Sequence, residues 1–527
     1  MSKAHQNFKF ILAIFSGILL FLCFPKPDMG LLAWIALVPM LIALEDVASR
    51  KEAFSLGLLT GLFFYTATLY WVIIAMHNYG GINYLLSLAL LVLLVVYMSL
   101  YIGIFTIVIY DLKKRCPILY ILAIPIGWTG LEYMRSWFFT GFPWVSLGYS
   151  QYKFLKIIQL ADTIGVYGIS FMIVLVNAIL AYLIRTFLLG THFNISKKER
   201  NSIIKGLISI IAIIGICYIY GYLRIKEYNM REVKEQLKVS VIQGNITQSL
   251  KWDSVFKSET VGIYEDLTKK SLQDDPEIIV WPETAVPFFF QEGGEYKDRI
   301  INLIKEANRP ILFGTPRYDL NGKDYLPYNS ALFLSPQGEL INKYDKIHLV
   351  PFGEYIPFSN ILTFLDSLVV QVGNFCSGKE YVLMNIKNSK LGAVICFEII
   401  FPDLVRKFVK KGANLIVNLT NDAWYDRSSA PYQHFSMVVF RAVENKCSVV
   451  RCANTGISGF IDGVGNIVNS TPIFKMLYLT ERLDIKKGKK TFYTMYGDIF
   501  GMLCFGLLVG YPLLRLSGFR KFLIEGR

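Results

Sequence analysis

A helical membrane domain of about seven spans, a layered α/β domain and one closing span make up the fold class that the sequence predicts. Three observations predict it. The 527 residues are 54% hydrophobic and 18% charged, below the ~25% charged usual in soluble domains, and mean hydropathy is +0.43. The N-terminal half is a ladder of apolar runs, each near the ~20 residues that cross a ~30 Å hydrocarbon core. From residue 237 the pattern changes to short β-branched runs separated by polar, amphipathic stretches, as expected of strands buried on both faces between helices.

The spans are expected near 9–25, 29–45, 54–76, 83–110, 117–136, 161–188 and 202–223, with an eighth near 496–515. The first run passes through Pro25-Lys-Pro27 into the second without a small-residue cleavage site, so it reads as a span and not a cleaved signal. Lys3, Lys9, Arg50-Lys51, Lys113-Lys114-Arg115 and Lys197-Lys198-Glu-Arg200 fill alternate loops, while those at 26–28 and 77–82 are nearly free of basic residues. The positive-inside rule then places the N-terminus in the cytoplasm and residues 224–495 outside. The eighth span returns the tail, with Arg515, Arg520, Lys521 and Arg527, to the cytoplasm. Lys486-Lys487-Gly-Lys489-Lys490 breaks the rule, as long translocated domains do. The expected domains are therefore 1–225 (membrane), 226–490 (outer) and 491–527 (span and tail). Glu132 and Arg135, three apart near a span end, are expected to pair on one helix face. The outer loop Trp137-Phe-Phe-Thr-Gly-Phe-Pro-Trp144 is aromatic enough for the bilayer interface, with Trp144 a candidate for lipid positioning.

In the α/β region, strands are expected at Lys238–Ile242, Glu277–Trp281, Pro310–Gly314, Ala331–Leu334, Gly392–Cys396, Asn414–Leu419 and Ser448–Cys452. Amphipathic stretches near 253–273, 295–308, 400–411 and 431–446 supply helices between some of them. About 250 residues suffice for one core.

The formal charge of +14 raises the possibility of nucleic acid. No basic, aromatic-interleaved motif supports it, and membrane proteins collect Lys and Arg in cytoplasmic loops, so nucleic acid is excluded as a partner. The eight cysteines form no CxxC pair or Cys/His cluster of metal spacing, so neither a metal nor another cofactor is expected. Cys447 and Cys452, five apart on an expected strand, should face opposite ways and form no mutual disulfide.

Three residues stand where an apolar strand meets a loop: Glu283 in Trp281-Pro282-Glu283, Lys346, and Cys396 at the end of Leu391-Gly-Ala-Val-Ile-Cys396. A free thiol near pKa ~8.5 is only a few per cent thiolate at neutral pH and needs a base or cation beside it. Glu283 can be that base, Lys346 a fixed positive charge for an oxyanion, and Cys396 an acyl carrier. Taken singly, each has a plainer reading: a packed strand cysteine, a helix-capping carboxylate, a solvated lysine. The trio, with Glu354 and Glu398 beside two of its members, favours chemistry.

The trio, with Glu398, resembles the Glu-Lys-Cys site of the nitrilase superfamily, which implies an αββα sandwich over roughly 237–485. Four stretches resemble the apolipoprotein N-acyltransferase family: Val241-Ile-Gln-Gly-Asn-Ile-Thr-Gln-Ser-Leu-Lys-Trp252, Trp281-Pro-Glu-Thr284, Lys346-Ile-His-Leu-Val-Pro-Phe-Gly-Glu354 and Asn418-Leu-Thr-Asn-Asp-Ala-Trp424. Thr140-Gly-Phe-Pro-Trp144 and Gly148-Tyr-Ser-Gln151 extend the likeness across nearly the whole chain. The resemblance implies a bacterial inner-membrane enzyme with its catalytic domain on the periplasmic side. It implies that an acyl chain passes from a phospholipid donor, usually phosphatidylethanolamine, to Cys396 as a thioester. From there it goes to the α-amine of a diacylglyceryl-cysteine apolipoprotein. It further implies that Glu354 and Glu398 hold Lys346 and the active-site loop, and that Trp252 covers the substrate entrance. Phe397 stands where the family often has Tyr, so a hydroxyl is missing there. Residues 352–378, with Gly353, Gly373 and Gly378, are a candidate lid.

Two other readings are weighed. A membrane-tethered amidase or nitrilase would use the same trio with water as acceptor. A transporter or lipid receptor would be expected to carry paired polar residues or broken helices near the bilayer midplane, whereas the acyl-transfer motifs here lie in the α/β region.

Overall fold

The computed structural model describes residues 3–115, 120–189, 197–248, 251, 254–322, 324–356 and 374–516. Trp252, most of the candidate lid (357–373) and the basic tail residues Arg520, Lys521 and Arg527 lie outside the described residues. The chain forms two compact units. One comprises Met1–Tyr70, Leu90–Arg224 and Tyr496–Arg527, the other Trp71–Ala89 and Ile225–Met495.

The first unit is helical. Among the described residues, four helices are long and apolar enough to cross a membrane: Arg50–Leu69, Tyr84–Lys113, Ala161–Phe187 and Glu199–Asn229. Shorter apolar helices cover Asn7–Leu22 and Ile499–Gly510, and Tyr120–Arg135 is a 16-residue helix. The expected span near 29–45 is not one helix. It divides into a 3-10 turn, Gly30–Trp34, and an eight-residue helix, Val38–Glu45. The break has a physical cause: Pro39 has no N–H to offer Ile35. Asn177, from the helix Ala161–Leu189, then bonds the opened backbone, donating to the Ala33 carbonyl at 2.8 Å and accepting from Leu37 N–H at 2.9 Å. A broken helix inside an apolar unit needs such a partner, because no water reaches its backbone groups.

Glu132 and Arg135 bear on one another electrostatically, as expected, but make no direct ion pair. Glu132 accepts from the Leu147 N–H at 2.8 Å, while Arg135 donates to the Tyr65 hydroxyl at 2.7 Å and to Ser146 at 3.3 Å. Spacing of i, i+3 brought them to one face, and two loop residues and a neighbouring helix took the bonds. Of the aromatic loop that follows, Trp137 and Phe139 are exposed, whereas Trp144 is fully buried and stacked on Phe142 at 5.9 Å.

The second unit contains two six-stranded sheets. Its strands are β1 (Val233–Gln243), β2 (Ile278–Val280), β3 (Ile311–Asn321), β4 (Asp324–Leu334), β5 (Leu340–Asp345), β6 (Leu383–Ile386), β7 (Ser389–Ile395), β8 (Leu415–Thr420), β9 (Ser448–Ala453), β10 (Gly459–Ile461), β11 (Ile467–Ser470) and β12 (Leu477–Lys486). The orders are β12-β1-β2-β3-β4-β5 and β11-β10-β9-β8-β7-β6. In each sheet the three central strands are parallel, β1-β2-β3 and β7-β8-β9, and the outer pairings are antiparallel. All seven expected strands are present, mostly inside these central ladders. Cys447 precedes β9 instead of lying on it, and the described cysteines are free.

The sheets pack face to face, with the Cys452 thiol of β9 3.2 Å from the Val280 carbonyl of β2. The helices Lys257–Ser271 and Glu295–Ala307 cover the first sheet through Val261, Tyr264, Ile300 and Leu303. Pro402–Lys411 and Ala430–Asn445 belong to the second sheet's side, where Phe408 lies so close to Gly392 of β7 that a Cβ there would fall 2.9 Å from its ring. This is the αββα order that alternating strands and amphipathic helices predict.

Trp281 anchors the first sheet. It is wholly buried, stacks on Tyr264 at 4.9 Å and donates its indole N–H to Thr268 at 3.0 Å. Trp281→Ala is expected to remove about 3–5 kcal/mol of stability, readable as a lowered unfolding midpoint of the detergent-solubilised protein.

Candidate active site

Each of the three sequence-predicted groups follows the carboxyl end of a strand. Glu283 lies three residues beyond β2, Lys346 directly after β5, and Cys396 directly after β7. Strand ends of this kind are the usual location of sites in α/β sheets. All three are almost wholly enclosed, at 7%, 1% and 5% exposure.

Lys346 is the hub. Its ammonium lies 2.8 Å from Glu354 Oε2 and 3.5 Å from Glu283 Oε1. Burial opposes its charge, but Glu354 and Glu283 outweigh burial and hold it well above the ordinary lysine value. A buried lysine so compensated stays charged. Asn329, on β4, ties the two acids together by donating to Glu283 Oε1 at 2.9 Å and Glu354 Oε1 at 2.7 Å. Glu354 also accepts from the Val350 N–H at 2.8 Å, which fixes the loop carrying it.

Cys396 adopts a left-handed backbone, φ +50°, at the start of the 3-10 turn Cys396–Ile400. A β-strand entering a tight turn through such a residue holds the side chain away from the strand's alternating faces. Burial pushes the thiol up, the Glu283 charge pushes it further, and Lys346 only partly offsets them. The resting group is therefore the thiol, and an acceptor must remove its proton during reaction. Glu283 is the carboxylate whose charge that thiol feels most.

Glu398 is an internal brace. One carboxylate oxygen accepts from Tyr344 hydroxyl (2.7 Å), Ile347 N–H (2.7 Å) and His348 N–H (3.1 Å), and the other from Ile395 N–H (2.7 Å). It thus joins the loop that carries Lys346 to the strand that presents Cys396. Burial pushes it up to about 7 against these donors. Phe397 is buried against the rings of Phe401 at 5.2 Å and His348 at 6.0 Å. Trp144 belongs to the helical unit.

Sequence reasoning missed two members. Asn329 sits in a long antiparallel ladder opposite Pro316, and nothing in its local sequence marks it. Lys251 is buried and donates to the Glu283 carbonyl at 3.0 Å; burial draws it down to about 8, against the Glu283 charge. It stands next to Trp252 in a quoted motif, and that adjacency was the one signal available. Among the described residues no three His, Cys, Asp or Glu side chains cluster as metal ligands. A protonated thiol, a carboxylate base and a fixed cation, closed off from water, can form and discharge an acyl thioester.

The chain is similar to known proteins over most of its length. Residues 16–179 match the family model for the apolipoprotein N-acyltransferase N-terminal domain, and residues 238–489 that for carbon-nitrogen hydrolase. The chain is 41% identical to the apolipoprotein N-acyltransferase of Geobacter metallireducens, over 97% of this chain and 95% of that one. It is 34% identical to that of Pasteurella multocida, over 95% of each chain. An amidase of the nitrilase superfamily from Nesterenkonia AN1 aligns at 15% identity over 48% of this chain and 93% of its own, with a TM-score of 0.38.

Two outcomes are expected. A Cβ on Gly314 would fall 2.7 Å from the Glu283 Cα and 2.5 Å from the Thr284 nitrogen. Gly314→Ala should therefore shift Glu283 and slow alkylation of Cys396, followed by mass spectrometry, by about 100-fold. His348 is drawn down to about 4 by burial and by Lys346. The unfolded chain, with imidazole near ~6.5, takes up a proton first as pH falls, so the neutral ring's contribution is present above ~6.5 and lost towards 4. The stability advantage of wild type over His348→Gln, read from unfolding midpoints, should shrink across that window.

Proposed function

Because the chain belongs to the apolipoprotein N-acyltransferase family, we propose that Cys396 is its nucleophile, Glu283 its general base and Lys346 its oxyanion cation. The chain is an acyltransferase with a lipoprotein acceptor and a membrane-lipid donor. In the first half-reaction Glu283 takes the Cys396 proton and the thiolate adds to the donor's ester carbonyl. The oxyanion forms beside Lys346. Collapse breaks the carbonyl–alkoxide bond, Glu283 returns the proton to the leaving glyceryl oxygen, and a lysophospholipid departs. In the second, the acceptor's neutral α-amine adds to the thioester and yields its proton to Glu283. The Cys396 sulfur then leaves as thiolate and recovers that proton.

We assign Glu354 and Glu398 as the acids that hold Lys346 and the nucleophile loop, on the bonds described above. Trp252 is assigned to the entrance on family resemblance. Phe397 supplies ring packing without a hydroxyl, and the burial of Trp144 favours a part in building the outer loop over direct lipid contact. Residues 226–490 are taken as the catalytic domain, 1–225 as the membrane domain and 491–527 as a closing span and cytoplasmic tail. The alternation of Lys and Arg between loops supports cytoplasmic termini and a periplasmic catalytic domain in a bacterial inner membrane. Phosphatidylethanolamine is the proposed donor and a diacylglyceryl-cysteine apolipoprotein the acceptor.

The observation that carries this reading is one enclosed site in which Lys346 contacts Glu354 and Glu283, and the Lys346 and Glu283 charges bear on Cys396. Incubation of the purified protein with phosphatidylethanolamine should add one fatty acyl mass on Cys396, discharged by a diacylated lipopeptide. Cys396→Ala should stay folded and gain no mass. An active Cys396→Ala protein would sink the assignment, and free fatty acid as the sole product would make the chain a hydrolase.

A further inference from the structure

Three acids stand close to Lys346 or to the Cys396 turn, and their hydrogen bonds tell them apart atom by atom. Both oxygens of Glu354 are engaged. Its Oε1 accepts from Asn329 at 2.7 Å and from Lys346 at 2.9 Å, and its Oε2 from Lys346 at 2.8 Å and from the Val350 N–H at 2.8 Å. Each oxygen of Glu398 is held by at least one backbone N–H. Glu283 differs. Its Oε1 accepts from Asn329 at 2.9 Å and lies 3.5 Å from Lys346, while among the described residues no hydrogen bond reaches its Oε2.

Asn329 makes this asymmetry. Its backbone carbonyl accepts from the Lys346 N–H at 2.9 Å, one step past the Ser330–Asp345 pair of the β4–β5 ladder. Strand register thus brings Asn329 beside Lys346 whatever its side chain is. The amide nitrogen then donates to both acids, Glu283 and Glu354, which suits a group with two N–H donors. Turned the other way, the amide would set its oxygen against two carboxylates. As placed, that oxygen is buried and accepts nothing among the described residues. A buried acceptor without a donor is costly, and the cost is explained if the amide is placed for the acids. The Glu283 main chain is already fixed, since Lys251 donates to its carbonyl at 3.0 Å. What stays free is the last torsion of the side chain, which is broad for a carboxylate and exchanges its two oxygens. A donor on one oxygen removes that freedom.

We propose that Asn329 is a positioning residue for acyl transfer, holding Glu283 by Oε1 so that Oε2 is the oxygen that exchanges protons with Cys396 and the substrates. The inference rests on the roles proposed for Cys396 and Glu283, and Asn329 acts only through Glu283. In the first half-reaction the S–H bond breaks as the Oε2–H bond forms, and that proton passes on to the leaving glyceryl oxygen.

Two substitutions in the full-length, detergent-solubilised enzyme separate donation from packing. Asn329→Leu keeps a side chain of similar size and removes the donors, whereas Asn329→Ser keeps one O–H donor and leaves a space. The Leu variant should form the acyl thioester from phosphatidylethanolamine about 100-fold more slowly than wild type in single turnover. Its KM for the phospholipid should stay within about twofold. The Ser variant should stay within about tenfold of the wild-type rate. Equal rates in the two variants, or a slower Ser variant, would overturn the proposal, as would a loss seen in KM alone. Should the Leu variant not fold, the Ser variant decides alone: a rate within about tenfold of wild type supports the proposal and a greater loss overturns it. Cys396→Ala and Glu283→Gln are run alongside. Activity in either would remove the proposed roles and this inference with them, whereas two inert controls beside equal Asn329 variants would overturn this inference only.

Discussion

The site depends on keeping charge in a place where water cannot solvate it. Glu283, Glu354 and Lys346 are all nearly enclosed, and an isolated ion there would neutralise instead of persisting. One ammonium between two carboxylates solves this only if the geometry is held, because removing any partner strands the others. Asn329 holds it from β4, and the Val350 N–H holds Glu354 from the loop. Burial first and the Glu283 charge second keep the nearby thiol protonated, with Lys346 only partly offsetting them. On the proposed roles, moving the Cys396 proton to Glu283 leaves the total charge unchanged; negative charge only shifts from oxygen to sulfur. The desolvation penalty is met once, on folding, and each proton transfer afterwards is a local rearrangement.

That requirement accounts for the sandwich. Glu283 and Lys346 come from the first sheet and Cys396 from the second, so the site exists only while the sheets stay in register. Glu398 makes that connection, with one oxygen on the Lys346 loop and the other on the end of β7. Its neighbour in sequence, Phe397, closes the same seam with rings in place of hydrogen bonds.

What was legible in the sequence follows from range. The parallel central strands are short β-branched runs with both faces buried, a pattern that local composition declares, and Glu283 and Cys396 each follow such a run, whereas Lys346 follows the largely exposed edge strand β5. The break in the expected span at 29–45 was not legible, because its bonds come from Asn177, more than 130 residues away in sequence. Glu132 and Arg135 have the spacing of a helical pair, but Tyr65, Ser146 and Leu147 took their bonds. Asn329 and Lys251 look like any strand asparagine and loop lysine until the chain folds. Trp144 read as an interfacial aromatic because its loop is aromatic; the fold buries it and leaves Trp137 and Phe139 exposed.

Burial also bears on the choice between transfer and hydrolysis. A thioester beside a general base is open to any nucleophile that can reach it, and water is the most abundant. With Cys396, Glu283 and Lys346 each below a tenth exposed, a water molecule must enter a space already closed by packed side chains. It gains no apolar burial in doing so. A lipid-bearing amine gains about 0.8 kcal/mol for each methylene it keeps out of water, so its acyl chains supply binding energy that water lacks. On the proposed assignment of Cys396 as nucleophile, a lipid-bearing acceptor thus has a binding term that water lacks. A fold shared with hydrolases can act as a transferase when its nucleophile is closed to solvent and its substrates arrive from a bilayer.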